Sequence, residues 1–341
     1  VRYACRMEIE LSALAAAVAE EQFTGVVAVD VADEPGERHC YGFANRAFGV
    51  PNGPETRFAL ASGSKTFTAL GILRLVEDGR LELSSPVRPI LGADLPLIDD
   101  AVTVEQLLAH TSGIGDYLDE SDDWDASDYV LPVPVHTLAT TSGFLPLLDG
   151  HPQAFPPGER FAYCNGGYIV LALVIERVSG LDFHTFLQNE VFDRAGLAAT
   201  SYLRSDELPG DAAVGYLDAD GDRSNVLHLP VRGNGDGGAY STAADLHRFW
   251  RALLAGRILG PDLLAEFVRP RNDVPDEPFW YGLGVYVDPD SGVLAMEGYD
   301  AGVSMRSLHD PAAATTASVL GNTPDGSWPI AELLLEAITS R

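Results

Sequence analysis

Short, Val-rich strand signals stand at the two ends of this 341-residue chain, and no βα repeat runs between them. A parallel sheet needs a crossover, usually a helix, between successive strands, so this pattern points to an antiparallel sheet assembled from both termini. At the front, Thr24 to Val31 reads as a strand. The turn chemistry of Glu34-Pro35-Gly36 leads into a partner over Arg38 to Ala44. At the far end Tyr281 to Val287, Val293 to Glu297, Val303 to His309 and Ala314 to Leu320 read as strands joined by Gly, Pro and Asp turns. Leu11, Leu14, Ala15 and Val18 recur at helical spacing over Glu8 to Glu21, and Ile330 to Ile338 closes the chain as a helix.

The middle reads as helical. An apolar helix over Ser64 to Glu77 stops at Asp78-Gly79, and Thr103-Val-Glu-Gln106 is a capping box for a helix ending near His110. Gly167 to Val178 is apolar almost all round, so it is expected to be buried, and Asp182 to Phe192 and Ala243 to Leu254 add two more helices. The expected fold class is α+β. Residues 1–80 and 240–341 would form an α/β domain and residues 81–239 a mostly helical one, with the active site between them.

A net charge of −28 argues against a nucleic-acid partner, because phosphate contacts need clustered Lys and Arg. Acidic residues crowd between Asp116 and Asp128, which reads as an exposed loop. No apolar run reaches the roughly 18 residues of a membrane-spanning helix. Cys5, Cys40 and Cys164 are too few and too scattered for a disulfide framework, which leans toward a cytoplasmic protein unless a leader was removed. The histidines show no metal-ligand spacing, and neither metal nor cofactor is expected.

Lys65 is the only lysine in the chain. It stands in Ser62-Gly63-Ser64-Lys65 at the head of the apolar helix. Three residues is just under one turn, so Ser62 and Lys65 share a face. A serine at a helix N-terminus sits where unpaired N–H groups favour a developing anion, and a desolvated lysine beside it can take its proton. The competing reading is that Ser62 or Ser64 only caps the helix and Lys65 is solvated.

The surroundings decide between them. Arg57-Phe-Ala-Leu-Ala-Ser-Gly-Ser-Lys-Thr-Phe-Thr-Ala69 resembles the penicillin-recognising serine hydrolases. So do Val104-Glu-Gln-Leu-Leu-Ala-His-Thr-Ser-Gly113, Phe155-Pro-Pro-Gly158, Tyr163-Cys-Asn165, Gly237-Gly-Ala-Tyr-Ser-Thr-Ala-Ala-Asp245 and Gly321-Asn-Thr323. Within them the chain looks most like the group of class C β-lactamases, D-Ala-D-Ala carboxypeptidases of that type and β-lactamase-like esterases. The resemblance implies a β-lactamase/DD-peptidase-like fold with an inserted helical domain. It also implies Ser62 as nucleophile, Lys65 and Tyr163 as proton carriers, and Asn165 as the amide orienting Lys65 and the substrate. The backbone N–H groups of Ser62 and Tyr299 would be the oxyanion donors. His110 is expected to brace a loop, and Cys164 to pack.

One motif departs from the family. Its usual Lys-Thr-Gly or His-x-Gly appears as Met296-Glu-Gly-Tyr-Asp-Ala-Gly302, with Gly298 in place and Met296 where the cation belongs. Methionine cannot hold a substrate carboxylate. Strand alternation should turn Glu297 away from the site, and Arg306 is a substitute cation whose reach the spacing does not show. The expected function is therefore a serine acyl-hydrolase acting on a small ester, amide or peptide-like substrate, with Met296, Gly298 and Tyr299 beside it. Two alternatives stand: a non-catalytic binding or scaffolding homologue, and a β-lactamase or carboxypeptidase that uses another cation.

Overall fold

The computed structural model describes residues 11–32, 36–118, 129–275 and 277–339. Helix α1 (Leu11–Glu20) leads into strands β1 (Gly25–Val31) and β2 (Arg38–Tyr41). Near the far end come β3 (Asn272–Asp273), β4 (Trp280–Tyr281), β5 (Tyr286–Val287), β6 (Leu294–Asp300), β7 (Val303–Asp310) and β8 (Thr315–Gly321). They form one sheet in the order β2-β1-β8-β7-β6-β5-β4-β3, antiparallel throughout. The first long strand pairs with the last, from Gly25 opposite Gly321 to Val31 opposite Thr315.

Alternation sorts the strand residues into two cores. Val27, Ala295, Leu308, Ala317 and Val319 face a smaller core with Leu14 of α1 and Ile330, Leu334 and Ile338 of the closing helix Trp328–Thr339. Val26, Ala28, Leu294, Met296, Met305 and Leu320 face the larger core. There they meet α2 (Lys65–Glu77), α3 (Asn165–Ser179) and α4 (Ala243–Leu254), and α2 packs on α3. This larger core runs without a break from the terminal strands into the middle of the chain.

Several expected elements take a different form. Tyr281 to Val287 is a hairpin, not one strand: Tyr281 pairs with Tyr286, and Gly282 N–H donates to Val285 O at 2.8 Å. Gly284 supplies the φ of +94° that the reversal requires. The partner of β1 ends at Tyr41, and Phe43–Asn45 pairs instead with Val50–Pro51. The helix after Asp182 is regular only over Phe183–Leu187 and continues as a π-turn, Gln188–Phe192. The capping box forms as expected, Thr103 and Gln106 bonding each other's backbone, but its helix is short, Val104–Leu108. Residues 197–239 carry no helix. Residues 8–10 of the first expected helix, and positions 34 and 35 of the first expected turn, lie outside the described residues.

Candidate active site

The cleft is centred on the turn that feeds α2. Residues Ala61–Ser64 form one 3₁₀ turn, and Ala61 holds φ +41°, a left-handed conformation that costs a side-chain-bearing residue energy. The turn is held from both sides. Gly238 N–H donates to Ala61 O at 3.3 Å, and Ala239 N–H donates to Ser64 Oγ at 2.9 Å. On the opposite side β6 lies against it at Gly298, where a Cβ would stand 2.1 Å from Leu60 O, so glycine is required for the approach.

Neither Ser62 nor Ser64 caps α2 through its side chain, and Lys65 is only 2% exposed. The capping alternative therefore falls. Lys65 Nζ lies 2.9 Å from Ser62 Oγ and donates to Asn165 Oδ1 and Asp236 O, both at 2.7 Å. A neutral amine has two N–H groups for the two carbonyl-type acceptors and a lone pair for the serine hydroxyl. A lysinium donates to all three. One proton can therefore move between Ser62 and Lys65 with no change of partners.

The structure brings Tyr163 to the same place. Its ring centre is 4.9 Å from Lys65 Nζ and 4.4 Å from the His110 ring. His110 is buried with φ +55°, and its Nδ1 accepts the Cys164 N–H at 3.1 Å. Burial first, and then the charge of Lys65, hold the imidazole well below its ordinary pKa, so it is neutral here. It braces the Tyr163-Cys164-Asn165 segment. The Cys164 thiol is buried, and its pKa is pushed well up by that burial.

Two carboxylates that sequence reasoning did not single out complete the hub. Helix α3 begins at Asn165, and its N-cap residue Cys164 offers no side-chain cap. Asp116 supplies the cap from another segment, accepting from Asn165 N–H at 2.5 Å and Gly166 N–H at 2.8 Å. It is not the start of an exposed acidic loop, because the unmet amides of α3 draw it inward. The rest of that acidic stretch, residues 119–128, lies outside the described residues. The second carboxylate, Asp236, accepts the Tyr117 O–H at 2.5 Å while its carbonyl holds Lys65. Burial raises the pKa of both carboxyl groups. The amide bonds and Lys65 oppose this at Asp116, as do Lys65 and Tyr117 at Asp236. The available signal was that Cys164 is a poor N-cap, so the helix needed an acceptor from elsewhere.

The strand wall corrects two expectations. Met296 is 1% exposed, packs in the larger core and lines neither side of the cleft. Glu297 does line it, with Gly298 and Tyr299. Alternation holds along β6, but the cleft reaches the face that Glu297 and Tyr299 share, together with Trp328. Arg306 is no substitute cation for a ligand: it bonds Glu297 at 2.6 Å and sits 3.7 Å from Glu277.

Ser62, Leu118 and Asn165 stand between two compartments. One, of about 890 Å³, is walled by Leu131, Leu203, Leu229, Val231 and Tyr240, with Asp236 and Asp300. The other, of about 1040 Å³, holds Tyr163, Tyr286, Tyr299 and Trp328 with Asp116, Glu277 and Glu297.

A buried serine–lysine pair at a helix head, between an antiparallel sheet built from both termini and a helical layer, defines the β-lactamase/DD-peptidase fold. The family model described as Beta-lactamase matches residues 12–334, and the chain belongs to that family. It is similar to Penicillin-binding protein 4* of Bacillus subtilis (strain 168), 33% identical over 254 residues that cover 69% of this chain and 53% of that protein. The chain thus spans about half the length of this curated relative. Esterase EstB of Burkholderia gladioli is 29% identical over 294 residues, 74% of this chain and 71% of EstB. Among solved structures, a penicillin binding protein from Bacillus halodurans superposes with a TM-score of 0.88 at 35% identity, covering 94% of this chain and 99% of that one. No helix among the described residues is long and apolar enough to cross a membrane.

Proposed function

We propose that this protein is a serine acyl-hydrolase that acts on esters or amides lacking a carboxylate through an acyl-enzyme on Ser62. The observation that carries the reading is the contact of Lys65 Nζ with Ser62 Oγ, fixed by Asn165 and the Asp236 carbonyl in a buried site. Ser62 Oγ forms a bond to the substrate carbonyl carbon while its proton passes to Lys65 or Tyr163. The tetrahedral oxyanion is received by backbone N–H groups, those of Ser62 and Tyr299. The bond to the leaving atom then breaks, and the proton is returned to that atom. Water repeats the sequence on the acyl-enzyme, releasing the acid and restoring the serine.

The exclusion of anionic substrates follows from the strand wall. A carboxylate would meet Glu297 and Glu277 rather than a lysine or histidine, and would forgo a charge-assisted bond worth about 1.5–3 kcal/mol. The likeness to an esterase supports the same reading. The test is p-nitrophenol release from p-nitrophenyl butyrate, with nitrocefin alongside. A stoichiometric burst followed by turnover, abolished by Ser62→Ala, with nitrocefin slow, is the expected result. No burst and no labelling of Ser62 by a fluorophosphonate would favour a non-catalytic binding protein, and efficient nitrocefin turnover would return the β-lactamase alternative.

A further inference from the structure

Tyr163 lines only the larger of the two compartments. With Tyr163 as the residue that returns the proton to the departing atom, and so beside it, the leaving group would depart through that compartment and the acyl group would occupy the other. This assignment rests on the hydrolase reading above.

The leaving-group compartment has an uneven charge balance. Glu277 and Glu297 line it, with Asp116 engaged by the amides of α3, and no Lys or Arg does among the described residues. Arg306 answers both glutamates, one cation against two carboxylates. Its side chain is 9% exposed, whereas those of Glu297 and Glu277 are 18% and 36% exposed, so the carboxylates face the cleft and the guanidinium lies behind them. Burial, and then the charge of Glu297, push the Glu277 carboxyl up, against the opposing charge of Arg306. Much of the rest of the wall is aromatic, including Tyr286, Tyr299 and Trp328, with Trp328 6.1 Å from Tyr299. Ring faces attract cations, most strongly where water is excluded. Met296, buried in the core, brings nothing that would hold an anion.

We propose that this compartment selects leaving groups that carry an ammonium group, so that cationic esters and amides are preferred over neutral and anionic ones. The carboxylates of Glu277 and Glu297 would face the charge and the three rings would surround its methyl or methylene groups.

The experiment uses three thioesters of one acyl group. S-butyrylthiocholine is the cationic substrate, the butyrate thioester of 3,3-dimethylbutanethiol its neutral isostere, and that of 3-mercaptopropionate the anionic one. With thiol release as the readout, kcat/KM for the cationic thioester should exceed that of the isostere by about 10-fold or more, and the anionic one should fall below it. The ratio should shrink toward one in Glu297→Gln and in Glu277→Gln, read as a ratio so that general damage cancels. It should also shrink in wild type as sodium chloride is raised to about 1 M. Equal rates for the three, with turnover dependent on Ser62, overturn the charge preference and leave the hydrolase intact. No turnover and no fluorophosphonate labelling of Ser62 overturn both. If Ser62 is labelled but no thioester turns over, protection by choline is compared with protection by 3,3-dimethylbutanol. Stronger protection by choline supports the preference, and equal protection overturns it.

Discussion

On the helix side of the cleft, Lys65 is buried with Ser62, Asn165 and the Asp236 carbonyl around its amine, and Asp116 locks the start of α3. On the strand side, β6 offers the cleft a glutamate already bonded to arginine, while the residue at the family's cation position is sealed in the core. On the proposed reading the helix side would move the proton and the strand side would read a ligand's charge. The two would then be separable, because the first depends on contacts within about 3 Å and the second acts across the cleft.

That separation can be broken in order of effect. Ser62→Ala should cost at least about 10³-fold in p-nitrophenyl butyrate turnover, and Lys65→Ala a comparable amount, with the fold retained by circular dichroism. Activity persisting in both would move the chemistry off the helix side. Met296→Lys comes next: it buries an ammonium in an apolar core, so thermal unfolding should show a loss of about 3 kcal/mol or more. It should bring no gain in nitrocefin turnover, because the new cation does not reach the cleft. A folded variant that hydrolyses nitrocefin would show instead that the strand side is one residue from the usual arrangement. Gly298→Ala follows. With its Cβ 2.1 Å from Leu60 O, the turn must shift away from β6, and a displacement of about 1 Å at Ser62 costs on the order of 10²-fold in kcat. The smallest effect is expected of Asp116→Ala. Loss of a helix cap costs about 1–2 kcal/mol in denaturant titration, and kcat should drop about 10-fold as Asn165 loosens. Asp116→Asn, which keeps an acceptor oxygen, should recover much of both.

The helix side was the more legible of the two before any coordinates. The i, i+3 spacing of Ser62 and Lys65 is local and puts them on one face, whereas Tyr163 and Asn165 come into view only through the resemblance of their motif to the family. Asp116 was misread because nothing near it in sequence needs a cap; the need arises at Cys164, far along the chain. Glu297 was misread for a related reason. Alternation states which residues share a face of β6, and it did so correctly, but it does not state which face the cleft reaches.

The same division holds for the whole molecule. The sequence by itself determined the antiparallel sheet from both termini and the buried α2 and α3, because periodicity and capping are local; it singled out Ser62 and Lys65 through their i, i+3 spacing together with the resemblance of the surrounding motifs. Only the tertiary structure decided that the Tyr281 to Val287 segment folds back on itself, that Asp116 and Asp236 close around Lys65, and that Glu297 rather than Met296 lines the cleft. Each of those depends on what a distant segment leaves unpaired or uncovered, and burial and hydrogen-bond demand become defined only when the chain has packed.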